Sequence, residues 1–125
     1  MKPFVVDEVS FLGGEPTLQP HLIELAYFAR KRGIRRLNLA TNALVIGHEL
    51  EETAAALFSA IQVGLHGAKS ETYEAIVPRL VARGANIVLA FTVMPSNRAE
   101  LTDVLALSRA LGVRGIRFIP LAAEG

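Results

Sequence analysis

The chain has 125 residues, of which 51% are hydrophobic, so it is long enough to bury a core as one domain over residues 1–125. Its 13 basic and 12 acidic residues leave a formal charge of +1, which argues against binding to nucleic acid or to an anionic membrane surface. The absence of cysteine excludes disulfides, thiolate nucleophiles and metal or iron–sulfur sites built on thiolates of this chain.

Strand and helix patterns alternate along the first half of the chain. Short apolar runs predict strands over residues 9–12, 37–40 and 61–65. Apolar residues at helical spacing predict a helix after each of the first two strands. The residues that share a face are Leu22, Leu25, Ala26 and Ala29 in the first helix and Leu50, Ala54, Leu57 and Phe58 in the second.

The second half of the chain continues this alternation. Ser70 predicts the cap of a helix that ends near Arg83, and Pro78 is expected to kink that helix or to begin a new one. Residues 87–93 and 116–119 predict the last two strands. Asn97 followed by Glu100 has the spacing of a capping box. The helix that it opens has an expected apolar face of Leu101, Val104, Leu105 and Ser108.

Five apolar strands alternating with four helices indicate an α/β fold with a parallel sheet. Two architectures fit this order: part of a (β/α) TIM-like barrel, or a five-stranded doubly wound sheet of the flavodoxin or response-receiver type. In both, functional residues gather where the strands end. Those positions here carry Gly13, Gly14, Glu15 and Pro16, then Thr41 and Asn42, then His66, then Pro95 to Asn97, and finally Pro120.

The sequence Gly13-Gly14-Glu15 suits the binding of an amine. The two glycines allow a ligand to approach the backbone closely, and the glutamate offers a carboxylate to an ammonium or hydroxyl group. The same residues also fit a tight turn with a solvated glutamate. His66 is interpreted either as an acid or base near Glu15 or as a structural residue. We expect no metal site, because the three histidines are far apart in sequence.

The longer string FLGGEPTLQP resembles the second strand and following loop of the radical S-adenosylmethionine enzymes. LATNA is similar to the end of that family's third strand, and VGLHGAKSETYEAIV to its fourth strand and next helix. FTVMPSNRAELTDVLALSRALGVRGIRFIPLAAEG resembles the family's fifth strand, helix and sixth strand. The resemblance covers residues 9–125, and within the family it is closest to the branch that matures peptides and makes peptide-derived cofactors.

This resemblance implies a partial barrel that binds S-adenosylmethionine, with a peptide as the candidate substrate. The resemblance places Gly13, Gly14, Glu15 and Pro16 at the cofactor, where they match the motif for the methionine amino group, and Thr41 and Asn42 on the cofactor-facing rim. His66 is added to these cofactor-binding candidates because it stands at the end of the next predicted strand. Asn97 matches an asparagine that opens a helix in many members. We interpret Asn97 as a helix cap.

Three features depart from the family. An earlier strand of the family carries CxxxCxxC, whose thiolates hold the 4Fe–4S cluster that cleaves S-adenosylmethionine to a 5′-deoxyadenosyl radical. This sequence has no such motif, so we expect weak cofactor binding, no catalysis by the chain alone and no catalytic residue. Gly64 stands where the family often has a ribose-facing serine. The helix from Ser70 is expected to be shorter than its counterpart.

Without that earlier strand, the first strand of this chain is expected to form a sheet edge, which invites partners. We expect a homodimer or pairing with an N-terminal piece such as the strand-like residues 2–6. Three hypotheses follow: a fragment or degenerate member of the family, a cluster-free module that binds a peptide or partner protein, and a response-receiver domain. The last lacks the expected aspartate after its third strand, where His66 stands.

No targeting or membrane segment is predicted. The start MKPFVVDEVS lacks a signal-peptide pattern, and no apolar run reaches the roughly 18 residues that a membrane span needs. We therefore expect a cytoplasmic protein with neither a membrane nor a nucleic-acid partner.

Overall fold

A computed structural model of the chain describes residues 6–43, 46–65 and 71–120. In chain order the elements are β1 (Glu8–Phe11), α1 (Leu22–Lys31), β2 (Arg36–Thr41), α2 (His48–Leu57), β3 (Ala60–Leu65), α3 (Glu71–Ala82), β4 (Ile87–Val93), α4 (Leu101–Leu111) and β5 (Gly115–Pro120). Short 3-10 turns cover Pro16–Leu18 and Arg98–Glu100. The predicted α/β fold is confirmed, and the predicted ends of each strand agree with the structure to within one residue.

All four strand pairs are parallel, and the strands lie side by side in chain order, β1-β2-β3-β4-β5. A doubly wound sheet reverses its direction of growth and so places strands out of sequence. Sequential order is that of a (β/α) barrel wall. The structure therefore confirms the partial barrel and excludes the response-receiver alternative.

The helices cover one face of the sheet. Side chains from that face, such as Leu37, Val63 and Leu89, are completely buried. They pack in one cluster with residues from every helix, of which the most deeply buried are Ala26, Ala54, Val77 and Val104. Each large apolar side chain buried in this way stabilises the fold by about 1.5–3 kcal/mol.

The opposite side of the sheet, here called the inner face, carries the other alternate residues of each strand. They are Glu8, Ser10, Arg36, Asn38, Ala40, Ala60, Gln62, Gly64, Val88, Ala90, Thr92, Gly115, Arg117 and Ile119. A cleft of about 330 Å³ lies along this face. Most of the residues that line it are polar or small, and the branched apolar side chains that fill the interior of most complete barrels are represented here only by Leu12, Leu39 and Val88.

Two leucines depart from the predicted helix faces. Leu25 is 48% exposed and Leu105 is 43% exposed. Leu25 lies beside the β1 edge of the sheet, in a cleft that also includes Pro16 and Leu18, where no described element covers it. In α4 the buried stripe consists of Val104, Leu107, Ser108 and Leu111, a spacing of i, i+3, i+4 and i+7 that leaves Leu105 outside.

Helix α3 continues through Pro78, so the expectation that a new helix begins there is wrong. Proline lacks the N–H that would bond to the preceding turn. Burial of Ile76, Val77 and Leu80 around it offsets the loss of that bond. The predicted cap Ser70 lies outside the described residues. None of the helices in the described ranges is long and apolar enough to cross a membrane.

A buried carboxylate joins α2 to α3. The side chain of Glu51 is only 5% exposed and forms ion pairs with Arg79 and, at 3.4 Å, with Nη2 of Arg83. Both arginines keep part of their surface in solvent, so the pairs lie at the rim of the helix layer. This cluster lies on the helix side of the sheet, away from the inner face.

Candidate functional site

The turn after β1 depends on two glycines. Gly13 has φ +77° and Gly14 has φ +51°, backbone conformations that glycine adopts without the steric cost other residues meet. These two residues turn the chain at the carboxyl end of β1. Glu15 is thereby placed at the start of the 3-10 turn Pro16–Leu18, facing the end of β2.

The carboxylate of Glu15 accepts hydrogen bonds from both of these segments. Its Oε2 accepts from the backbone N–H of Thr17 at 3.1 Å, from the Thr17 hydroxyl and from Thr41 Oγ1 at 2.6 Å. Its Oε1 accepts from the backbone N–H of Asn42 at 2.7 Å. One side chain therefore holds together the loops after β1 and β2.

Thr41 completes this bridge. Its side chain is buried, and its hydroxyl donates to Glu15 while accepting from the backbone N–H of Ala43 at 3.0 Å. Ala43 has φ +59°, which is uncommon for a residue other than glycine. The Thr41 hydroxyl thus stabilises a strained backbone position next to the site.

The surroundings of Glu15 act on its pKa in opposite directions. Burial raises the pKa of the carboxyl, but the hydrogen bonds from Thr17, Thr41 and the Asn42 backbone favour the charged form and together outweigh burial. The pKa of Glu15 is therefore held below its ordinary value. The group carries a full negative charge at neutral pH and can attract a cation such as an ammonium.

A cleft of about 300 Å³ opens above this carboxylate. Its lining consists of Leu12, Gly13, Gly14, Glu15, Ala40, Thr41, Asn42, Gln62 and Gly64. Five of the seven residues singled out from the sequence thus lie together at one end of the sheet. Pro16 instead begins the 3-10 turn and lines the neighbouring cleft beside α1. His66 lies outside the described residues.

Asn97 does not cap a helix with its side chain, so the capping-box prediction is wrong. Its Oδ1 accepts from the backbone N–H of Met94 at 2.8 Å, and its Nδ2 donates to the carbonyl of Thr92 at 2.9 Å. A 3-10 turn lies between Asn97 and α4, so the spacing to Glu100 does not match the true helix start. The side chain braces the loop after β4.

The sequence reasoning missed three polar residues near this cleft. Thr17 contacts Glu15, while Gln62 and Arg117 contact each other on the inner face, where Arg117 Nη1 donates to Gln62 Oε1 at 3.0 Å. A signal for the last two was present in the sequence. Each is a polar side chain that interrupts an otherwise apolar strand.

The described residues contain no group of three or more histidine, cysteine or acidic side chains that could hold a metal ion. His21 pairs with Glu24 at 3.5 Å and His48 with Glu52 at 2.9 Å, and all four side chains are largely exposed. Because the whole sequence also lacks cysteine, its residues do not fit an iron–sulfur cluster held by thiolates.

Comparison with protein families gives one match over nearly the whole chain. A family model described as the Radical SAM superfamily matches residues 1–120. Probable GTP 3′,8-cyclases of Saccharolobus islandicus and Metallosphaera sedula are 29% and 27% identical to the chain, over 99% and 98% of its length. The alignments cover 44% and 43% of those proteins, so the chain spans less than half the length of these curated relatives.

Solved structures share the fold at low sequence identity. SuiB of Streptococcus suis bound to S-adenosylmethionine has a TM-score of 0.77 at 16% identity, over 94% of this chain and 30% of SuiB. SuiB bound to the precursor peptide SuiA has a TM-score of 0.76 at 16% identity, over 90% and 28%. TYW1 with a lysine–pyruvate adduct has a TM-score of 0.69 at 17% identity, over 94% and 42%. These likenesses show the fold alone.

Proposed function

This chain belongs to the radical S-adenosylmethionine superfamily, and from that premise we propose that it supplies the S-adenosylmethionine-binding part of a radical enzyme. The observation that carries the proposal is the cleft in which Gly13, Gly14, Glu15, Thr41 and Asn42 lie together. When bound at a reducing iron–sulfur cluster, S-adenosylmethionine is the source of a 5′-deoxyadenosyl radical. The residues of this chain bind and orient it.

The chemistry of the cleft fits the methionine end of the cofactor. Glu15 is ionised, and the hydrogen bond from Asn42 leaves its Oε1 with a second lone pair for a donor such as an ammonium. A Cβ built at Gly13 or Gly14 would meet nothing within 4 Å, so the turn presents open backbone to a ligand. A charge-assisted hydrogen bond at such a site contributes about 1.5–3 kcal/mol.

The cluster itself has no ligands here. Because the sequence contains no cysteine, we assign no catalytic residue to this chain and derive no reaction step from it. We propose that the thiolates come from polypeptide outside this sequence, either in a longer protein or in a second chain.

The β1 side of the sheet is the proposed contact for that polypeptide. Among the described strands β1 pairs only with β2, and Leu12 and Leu18 beside it are 67% and 64% exposed. A cleft of about 430 Å³ joins them to Leu25. An open strand edge with apolar neighbours suits a further strand that pairs in parallel.

Light scattering of the full chain tests this contact. If the chain is monomeric, no second copy covers the β1 edge, which supports its proposed contact with the cluster-bearing polypeptide. A dimer that Leu12→Asp dissociates, while Leu105→Asp on α4 does not, would show that a second copy covers the edge instead. The residues 2–5 of the predicted N-terminal piece lie outside the described residues.

Two substrate classes are proposed. The GTP 3′,8-cyclase relatives favour a nucleotide, because they align with nearly the whole chain. The fold neighbour SuiB, which has been solved with a precursor peptide, supports the peptide class. Both classes carry oxyanions, phosphate in one and carboxylate in the other.

Isothermal titration of the full chain with S-adenosylmethionine tests the proposed function. We expect binding that Glu15→Gln weakens about tenfold or more, while Glu24→Gln on the exposed surface of α1 leaves it unchanged. Methylthioadenosine lacks the methionine amino group, so its affinity reports damage to the loop after β1 without any contribution from recognition of that group. Its affinity should be the same for the wild type and Glu15→Gln.

Equal titration heats for the wild type and Glu15→Gln would refute the role of the carboxylate. Failure of the wild type to bind S-adenosylmethionine would favour the second candidate, a cluster-free module that recognises a peptide or a partner protein. The observation behind that candidate is the open β1 edge.

A further inference from the structure

Basic side chains gather at the amino end of the sheet. Because all five strands are parallel, the loops that precede β2, β3, β4 and β5 lie together at one edge of the sheet, where the helices also end. The formal charge of +1 for the whole chain conceals a local excess of cations at this edge. The exposed cations there, here called the amino-end surface, are Lys31, Arg32, Arg35, Arg109 and Arg114.

Negative charge lies mainly at the opposite end of the sheet. The first turns of α1, α2 and α4 carry Glu24, Glu49 and Asp103. At the amino end, the carboxylates of the described residues are those of Asp7 and Glu8, and Glu8 is compensated by Arg36, whose Nη2 lies 3.7 Å from it. The molecule is therefore positive at one end of its strands and negative at the other.

Helix dipoles explain only part of the amino-end surface. Cations in the last turn of a helix complement the partial negative charge of its carboxyl end, and Lys31 and Arg109 stand in such turns. Arg35 and Arg114 stand in loops beyond the helix ends, where this effect has fallen off. Among the described residues, no carboxylate forms an ion pair with either arginine.

Hydrogen bonds hold the backbone that carries these two arginines. The guanidinium of Arg30 donates to the carbonyl of Leu57 at 3.0 and 2.8 Å, and its Nη1 donates to the carbonyl of Arg35. The backbone N–H of Arg114 donates to the carbonyl of Ile87 at 3.0 Å. A partner that binds here would need to order side chains but not loops, which lowers the entropic cost of binding.

An exposed aromatic ring adjoins the amino-end surface. The guanidinium of Arg32 lies 4.8 Å from the centroid of the Phe28 ring, and Phe28 is 58% exposed. Arginine and aromatic residues are enriched where proteins bind other proteins. Proteins that bind single-stranded nucleic acids present open aromatic faces to the bases, but Arg32 covers one face of Phe28. This contact favours a polypeptide partner.

The dimensions of the surface suit a short extended segment. Three strand spacings separate β2 from β5, a distance of about 14 Å, and an extended chain covers that distance with about four residues. A net charge of +1 gives little of the long-range attraction on which binding to nucleic acid depends. A short acidic segment needs only the local cations.

We propose that the amino-end surface binds an acidic segment of a partner polypeptide, with Arg35 and Arg114 each pairing with a carboxylate. A guanidinium and a carboxylate match through two parallel hydrogen bonds, which fix orientation as well as adding affinity. This surface lies at the opposite end of the strands from the proposed cofactor site. The inference therefore does not depend on the proposed function.

Fluorescence anisotropy of a labelled octaglutamate peptide, titrated with the full chain at low ionic strength, tests the surface. We expect saturable binding that Arg35→Glu and Arg114→Glu each weaken about fivefold. Arg114→Lys, which keeps the charge without the fork, should give a smaller loss. Arg98→Glu reverses the same charge in the exposed turn after β4, at the opposite end of the sheet, and should leave binding unchanged.

Three results would overturn the proposal. If octaglutamate does not bind, or if Arg98→Glu weakens binding as much as Arg114→Glu does, the surface has no specific role. If an eight-residue oligothymidylate binds more tightly than octaglutamate and Arg114→Glu abolishes the difference, the partner is a nucleic acid. If light scattering shows an oligomer that Arg114→Glu dissociates, the acidic end of a second copy covers the surface. Urea unfolding of each variant verifies that the comparison is between folded proteins.

Discussion

Thr41 Oγ1 donates a hydrogen bond of 2.6 Å to Glu15 Oε2, and this contact joins two loops that are 26 residues apart in sequence. The parallel pairing of β1 with β2 brings these loops together, since both strands end at the same edge of the sheet. The carboxylate and the hydroxyl therefore depend on each other. Removing either partner of this bond is expected to lower the stability of the fold.

Thr41→Val should destabilise the protein by about 1–3 kcal/mol. The substitution keeps the shape of the side chain, but it removes one donor to Glu15 and leaves the N–H of Ala43 without its acceptor. Thr41→Ser keeps the hydroxyl and should recover most of the loss. Urea unfolding measures the difference, with Thr102→Val on the exposed face of α4 as the control. A Thr41→Val variant within 0.5 kcal/mol of the control would contradict this account.

The contribution of Glu15 to stability should depend on pH. Its folded pKa is lowered, so the unfolded chain binds more protons at acidic pH, and stability rises as the pH increases through that window. The contribution is complete above the ordinary glutamate pKa of about 4.3 and is lost as the pH falls through the folded value. The difference in unfolding free energy between the wild type and Glu15→Gln should therefore be largest at neutral pH and should shrink as the pH falls through the folded pKa of Glu15. A constant difference would contradict the lowered pKa.

The elements of the fold could be predicted because the signals for them are local. Apolar runs located every strand, and the helix spacing located the buried faces of α1 and α2 except at Leu25. Leu25 differs because it lies at the β1 edge, and the sequence pattern does not show which helix has a neighbour on its outer side. The sequential order of the strands in the sheet could not be predicted, because the same alternation of strands and helices fits two topologies.

The site could be predicted only in part. Gly13, Gly14 and Glu15 are contiguous, so their turn and its carboxylate were visible in the sequence. The bond from Asn42 to Glu15 depends on strand register, which is a long-range property. Gln62 and Arg117 are 55 residues apart, and the pairing of β3 and β5 with β4 places them on the same face of the sheet. The roles of the predicted cofactor residues, including His66, remain predictions.

The ion pairs of Glu51 should matter for stability but not for ligand binding. Replacing both Arg79 and Arg83 by glutamine leaves a nearly buried carboxylate without a charged partner, which should cost about 3 kcal/mol. Adding Glu51→Gln to that variant removes the stranded charge and should restore part of the stability. Urea unfolding of the wild type and of these two variants measures both changes in stability. A double variant as stable as the wild type would show that the pairs contribute nothing.

The two interpretations of Asn97, as a brace of the loop after β4 and as a helix cap, predict different effects of substitution. A cap needs only a side-chain oxygen, so serine and aspartate would replace asparagine there with little loss. The brace needs an acceptor for the Met94 N–H and a donor to the Thr92 carbonyl, which lie on opposite sides of the amide.

We therefore expect Asn97→Ser and Asn97→Ala to be destabilised alike, by about 1–2 kcal/mol, because neither side chain spans the loop. Asn97→Asp keeps the acceptor and loses the donor, so it should fall between the wild type and Asn97→Ala. Urea unfolding of the three variants measures this order. Full stability in Asn97→Ser would restore the capping interpretation, because serine can cap a helix but is too short to hold the end of β4 against the following turn.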